Sequence, residues 1–365
     1  MTLPRVDNET DFIATPHLLV DKDGEKLALI VKATVEHEEG PPRGPDGTFT
    51  VAPRVRRRPV RAADVPWGKP EVASVRYPSD LCLRKPGTDV IVVARAHAPR
   101  GEAVPRFDCG VRIGRVSKVV RVTGPRVWAG AGEALTEPTP IAALDVRYDF
   151  AFGGFDDSDP EKIAEDSRNP VGRGVLCDLA GLEGSAAPQI EDPLDPVRTA
   201  SSRPRPAGLG ALGRTFEPRR SRWGTYDAKW LEERSPLPPP DFDDRANLAA
   251  TPELVSVPPM AGGEEGALTN LTPGGGSLAF VLPRVRLVVT FRVPGREPEV
   301  VRPCLDTVVL DALGPIEHRQ LAAADPDFPP PPAGPLTVEL VWRAYVPAPR
   351  KLADATITVR EERAP

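Results

Sequence analysis

Histidine, cysteine and clustered carboxylates are the usual carriers of nucleophilic, acid–base and metal chemistry, and in this chain they are few and scattered. The four histidines, His17, His37, His97 and His318, stand alone, and no H-E-x-x-H pair places two of them on one helix face. The cysteines Cys82, Cys109, Cys177 and Cys304 form no C-x-x-C pair. They therefore read as inert thiols in a reducing compartment rather than as a zinc knuckle or a redox dithiol. There is no G-x-S-x-G elbow and no phosphate-binding P-loop. The densest acidic run is Asp156 to Glu161, where Asp157, Asp159 and Glu161 alternate as calcium ligands would. It lacks the glycine that an EF-hand loop needs at its sixth position and reads as a solvated acidic loop. Gly153-Gly154 and Gly274-Gly275-Gly276 open no helix and read as sharp turns or bulges. No catalytic, cofactor-binding or metal-binding residue is expected, and neither is a cofactor.

Arginine is the residue type that does cluster. Residues 54–61 read RVRRRPVR, with Arg54, Arg56, Arg57, Arg58 and Arg61, and a second basic stretch carries Arg203, Arg205, Arg214, Arg219, Arg220 and Arg222. Guanidinium groups suit bidentate contact with carboxylates or phosphates, although a solvated loop is the plainer reading of both runs. With 47 basic against 52 acidic side chains and a net charge of -5, nothing global argues for nucleic acid.

The elements that must hold these residues are β-strands. The chain has 46 prolines and 31 glycines among 365 residues, which excludes helical bundles, coiled coils and helical solenoids. Strict alternation marks Leu27 to Val35, Leu144 to Phe152, Val285 to Val293 and Val338 to Val346 as half-buried strands of antiparallel sheets. Residues 89–97 look like a strand buried on both faces. Residues 109–122, 278–282, 305–310 and 355–361 are further candidates, rich in β-branched side chains. Short helices are expected at Tyr226 to Arg234 and Ile316 to Ala324, and a polyproline-prone spacer at 326–335. No apolar run approaches the ~20 residues of a membrane span, and the acidic start (Asp7, Glu9, Asp11) is unlike a signal peptide. A cytoplasmic protein without membrane insertion is expected.

The organisation reads as tripartite: strand-rich parts at 1–152 and 276–365, and between them an irregular segment at 153–275, crowded with Pro, Gly, Asp and Arg. The two strand-rich parts can also form one continuous domain. The central segment carries Phe155, Phe216, Trp223, Tyr226, Trp230 and Phe242, so it is expected to be ordered coil anchored on the sheets rather than a linker. The fold class expected is all-β, an antiparallel sandwich-like framework with that central segment packed on it.

The central segment also carries an ordered set of phrases: D-F-A-F-G-G at 149–154, N-P-V-G-R-G at 169–174, P-Q-I-E-D-P at 188–193, P-A-G-L-G at 206–210, W-G-T-Y-D at 223–227, D-F-D at 241–243 and L-T-N-L at 268–271. Together with V-K-A-T at 31–34, P-C-L-D-T at 303–307 and W-R-A at 342–344, this series resembles the domain-of-unknown-function 2169 family. The Arg-rich run 54–61 and the acidic stretch 156–166 look less typical of it. The resemblance implies a bacterial type VI secretion adaptor or chaperone that binds an effector or a PAAR-type tip and helps load it onto the VgrG spike. A small-ligand-binding or hydrolytic β-protein, or a structural component of the secretion particle, are the alternatives. Aromatic and Arg side chains are the usual anchors of protein interfaces. The candidate partner surface is therefore Asn169, Arg173, Arg219, Arg222, Trp223, Tyr226 and Trp230. The plainer reading for the aromatics is packing of the coil, and for Asn169 and Asn270 it is capping of turns.

Overall fold

The computed structural model describes residues 3–36, 49–50, 54–55, 58–70, 72–313 and 336–362. The helix expected at 316–324, the proline run 326–335, His37, His318, Arg56 and Arg57 lie outside them. Within the described residues the chain is all-β, as its alternation implies. The framework strands are β1 (Arg5–Asn8), β2 (Ile13–Asp21), β3 (Gly24–Glu36), β4 (Thr88–Val93), β5 (Arg106–Ile113), β6 (Val116–Thr123) and β7 (Phe152–Asp156). They continue as β8 (Glu265–Thr269), β9 (Ser277–Val281), β10 (Leu287–Arg292), β11 (Glu299–Val301), β12 (Leu305–Asp311), β13 (Thr337–Pro347) and β14 (Thr356–Glu361). Among the described residues one α-helix, α1 (Ala228–Glu233), starts where Asp227 accepts the Trp230 backbone N–H at 2.7 Å. No helix among the described residues is long and apolar enough to cross a membrane.

A seven-stranded sheet runs in the order Val255–Ser256, β4, β12, β13, β3, β2, with Arg54–Val55 pairing the end of β3. A six-stranded sheet runs Ile190–Glu191, β6, β5, β8, β9, Phe49–Thr50, and a four-stranded one β1, β14, β10, β11. The framework is mostly antiparallel, as expected, with parallel pairs at β4–β12, β1–β14 and β9 with Phe49–Thr50. Parallel neighbours need a long crossover rather than a hairpin, and each of these pairs joins strands far apart in the chain. Strands from both ends of the chain thus share sheets: β3 lies against β13, and β5 against β8 from the central segment.

One continuous core collects the apolar face of the seven-stranded sheet (Leu27, Leu29 and Val31 of β3, Leu340 and Trp342 of β13). It also takes Val111 and Phe280 from the six-stranded sheet and Phe291 and Ile357 from the four-stranded one. The central coil contributes Ile190, Leu209, Phe216 and Leu254 to the same core, which is why so much irregular backbone is held in place.

Two expected strands are broken. The alternation at 144–152 is interrupted by a 3-10 turn at Tyr148–Phe150, which turns the chain from Ala143–Asp145 into β7. The Tyr148 ring fills the space over Gly208, so the turn is held by burial of a side chain that alternation alone places on a strand face. The run 109–122 is a hairpin, β5 and β6, reversing at Gly114 with φ 52°.

Candidate functional site

Alternation in β3 and β13 implies that one sheet face meets solvent. Instead both faces are buried. Opposite the apolar face, Lys32, Thr34 and Glu36 of β3 align with Glu339 and Arg343 of β13, Asp311 of β12 and Asp89 of β4. The segment from Arg58 to Thr88 lies over them and supplies the countercharges. Lys32 Nζ meets Asp80 at 2.9 Å and Glu339 at 3.1 Å. Arg58 bridges Glu339 at 3.1 Å and Asp311 at 3.2 Å, and Arg61 pairs with Glu339. The Tyr77 hydroxyl donates to Asp311 at 2.8 Å, Lys85 meets Asp89 at 2.7 Å, and Arg343 meets Asp306 at 2.5 Å. Burial by itself would raise the Glu339 pKa, but Arg61, Lys32 and Arg58 outweigh it and hold the carboxyl well below its ordinary range. Burial and the Asp311 charge push the Tyr77 phenol well up. Arg58 and Arg61 are therefore neither a solvated loop nor a partner surface; they fasten a covering segment to the sheet.

The motif phrases D-F-A-F-G-G and N-P-V-G-R-G fold against each other. Asn169 is fully buried, and its amide donates to the Tyr148 and Phe152 carbonyls, both at 2.9 Å. Gly153, with φ 146°, lies so close that a Cβ would overlap the Asn169 carbonyl oxygen, and a Cβ on Gly172 would stand 2.8 Å from the Ala151 oxygen. These positions need glycine for closeness as well as for torsion. The knot presents a cleft on each side of Phe155 and Pro170-Val171. One side, about 300 Å³, is walled by Pro66, Pro70, Arg214 and Phe216. The other, about 430 Å³, is walled by Val72, Arg173, Val175 and Leu176. Phe155 is 52% exposed and Val72 66%, an apolar presentation beside the closely packed glycines.

A ladder of alternating arginines and aromatic rings connects the buried ions to this cleft. Arg61 lies 4.4 Å over Tyr77, and Arg76 5.3 Å from Tyr77 and 5.7 Å from Trp67. Arg147 lies 5.3 Å from Trp67 and 5.2 Å from Phe150, and Arg173 4.8 Å from Phe150. Such stacking strengthens as water is excluded. Arg147 is fixed by Asp149 at 2.8 Å, and Asp149 also takes the Ser74 hydroxyl. Arg173 ends the ladder without an ion pair among the described residues, and partial burial lowers its pKa against a weaker pull from Asp149. It is a half-buried cation at the cleft wall.

The other expected surface residues divide. Asn169 and Arg219 are buried: Asn169 supports the surface from beneath, and Arg219 reaches solvent only in the wall of a separate pocket. Trp223 donates from its indole to the Arg214 carbonyl at 3.2 Å and packs on Phe242, and Trp230 donates to the Leu237 carbonyl at 2.8 Å. Both serve to pack the loop 223–243, which Asp241 closes by accepting from Thr225. Tyr226, edge-on to Trp230 at 4.6 Å, is 52% exposed, and Leu231 beside it 65%. Arg222 is half-buried at a separate pocket. Phe155, expected as a buried anchor, is the residue that sequence reasoning misplaced. Its signal is its position directly after two glycines with φ of 146° and 136°, which swing the strand outward.

A family model described as an uncharacterized protein conserved in bacteria, DUF2169, matches residues 22–344. That span holds the motif knot, the cleft and the seven-stranded sheet except β2 and the last residues of β13. No curated protein and no solved structure matches the chain.

Proposed function

The chain belongs to the DUF2169 family, and from that premise we propose that it is a non-enzymatic adaptor of a bacterial type VI secretion system. In this reading it binds an effector or a PAAR-type tip protein in the cytoplasm and aids its loading onto the VgrG spike. The observation that carries the binding role is the cleft around Phe155: exposed apolar side chains on and beside a glycine-packed knot, with Arg173 at its wall and without an ion pair among the described residues. Rigid aromatic and aliphatic groups lose little entropy on docking, and an adjacent cation selects the partner by charge. A partner segment with apolar side chains for the cleft and an acidic residue beside Arg173 fits it.

The test is capture with the tagged full-length chain from a cell expressing the secretion system, with partners identified by mass spectrometry. Recovery of a PAAR-, VgrG- or toxin-bearing protein is expected from the wild type and not from Phe155→Ser. Recovery of none of these with the system expressed sinks the adaptor reading. Fractionation of secreted particles distinguishes an adaptor, which stays behind, from a component that leaves with the spike.

A further inference from the structure

A second pocket, sharing no wall residue with the cleft, opens where the 3-10 turn Arg220–Arg222 meets the backbone of residues 245–257. Its walls are Leu212, Leu248, Ala250, Val255 and Val257. Three arginines reach it: Arg219, Arg222 and Arg245. Arg245 is occupied, its guanidinium holding Asp243 at 2.5 Å. The other two have no carboxylate within ion-pair distance among the described residues. Arg219 is the more unusual, at 5% exposure. It donates from Nε to the Ala246 carbonyl at 3.0 Å and from one terminal nitrogen to the Leu212 carbonyl at 2.6 Å. Neutral oxygens orient it without cancelling its charge. Burial lowers its pKa, and Asp64 and Asp89 offset this only through space. Asp89 is itself engaged by Lys85 and by the Ala249 and Ala250 N–H groups.

A buried guanidinium facing no anion is costly to maintain in a purely structural role, and a ligand anion would complete it. The pocket holds about 210 Å³. That exceeds the ~150 Å³ that accommodates a benzene ring but falls below the ~300 Å³ where cofactor and drug sites begin. Because the pocket is open on one side, its volume bounds the part of a ligand that enters it: one small unit bearing both an anion and an apolar group. An internal Asp or Glu has the carboxylate without the apolar group. A chain-terminal aliphatic residue carries both on one α-carbon.

We propose that this pocket binds the free carboxy-terminus of a partner polypeptide whose last residue is aliphatic. The carboxylate meets Arg222 and Arg219, and the side chain enters between Leu248 and Val257. Because the pocket is separate from the Phe155 cleft, this assignment stands or falls without it.

The test uses the purified full-length protein and an N-acetylated tripeptide ending in leucine, titrated by calorimetry in its free-acid and carboxamide forms. A third peptide ends in glycine with a free carboxylate. The free-acid leucine peptide is expected to bind at least tenfold more tightly than either control, and Arg222→Gln to lose at least fivefold. Arg222 is half-buried and outside the core, and its side chain makes no hydrogen bond among the described residues, so this variant is expected to keep the wild-type unfolding midpoint, which is recorded beside each titration; Arg219→Lys is the harsher companion. Equal binding of acid and amide, binding unchanged in Arg222→Gln, or no saturable binding of any peptide up to about 10 mM, each overturns the proposal.

Discussion

Two of the regions in which this molecule encloses arginine do so in different ways. On the covered face of the seven-stranded sheet each buried cation faces a carboxylate: Arg58 and Arg61 meet Glu339, and Arg343 meets Asp306. Among the described residues, Arg219 in the central coil donates to carbonyls and meets no carboxylate within ion-pair distance, and Arg173 ends a stack of rings without an ion pair. The first arrangement is electrically closed and fastens one chain segment to another. The second leaves positive charge directed at a cleft or a pocket. The difference teaches which arginines to regard as architecture and which as recognition; residue type and burial do not separate them, but the identity of the acceptor does.

The sharpest way to break the comparison is to open the closed network. Glu339→Ala leaves Lys32, Arg58 and Arg61 without their shared carboxylate, and removal of one partner from a buried pair costs about 3–5 kcal/mol. Denaturant unfolding should show that loss. The same carboxyl gives a pH signature. Its folded pKa lies well below the ordinary 4.5, so its contribution is complete above that value and is lost as pH falls below it toward the folded value. Wild-type stability should therefore drop on acidification below pH 4.5, and Glu339→Gln should show a shallower drop over the same window.

Next in size are substitutions in the motif knot. Gly153→Ala forces a Cβ onto the Asn169 carbonyl at a φ of 146°, and overpacking of this kind costs about 1–3 kcal/mol. Asn169→Ala removes the donor to two carbonyls and should cost about 1–3 kcal/mol by leaving them unsatisfied. Both should lower the unfolding midpoint, and both should weaken partner capture only in proportion to that loss. A Gly153→Ala protein as stable as the wild type would contradict the close approach that locks the cleft.

These variants also mark how far the sequence was legible. Alternation in β3 and β13 placed the apolar core face correctly, because period two is the direct consequence of the pleat. It was silent about the other face, since whether Lys32 and Glu339 meet water depends on where residues 58–88 lie, and that is a long-range fact. The motif phrases located the knot, yet ranking their members by residue type put buried Asn169 and Arg219 on the surface. Exposed Phe155 was counted among the aromatics that anchor the coil on the sheets. Type predicts burial only on average. Gly153 and Gly154 read correctly as a sharp local feature, but the outward swing they give Phe155 needed their torsions.

The smallest expected effect on stability comes from the cleft itself, and it is there that the account is most directly tested. Phe155 and Val72 are exposed, so changing both to Ser should alter the unfolding free energy by no more than about 0.5 kcal/mol each. Partner affinity should be measured for this double variant beside the wild type, with the unfolding midpoint recorded on the same preparations. A loss of tenfold or more in affinity at an unchanged midpoint is the predicted result. Undiminished affinity would contradict the claim that this glycine-locked cleft is where the protein meets its partner.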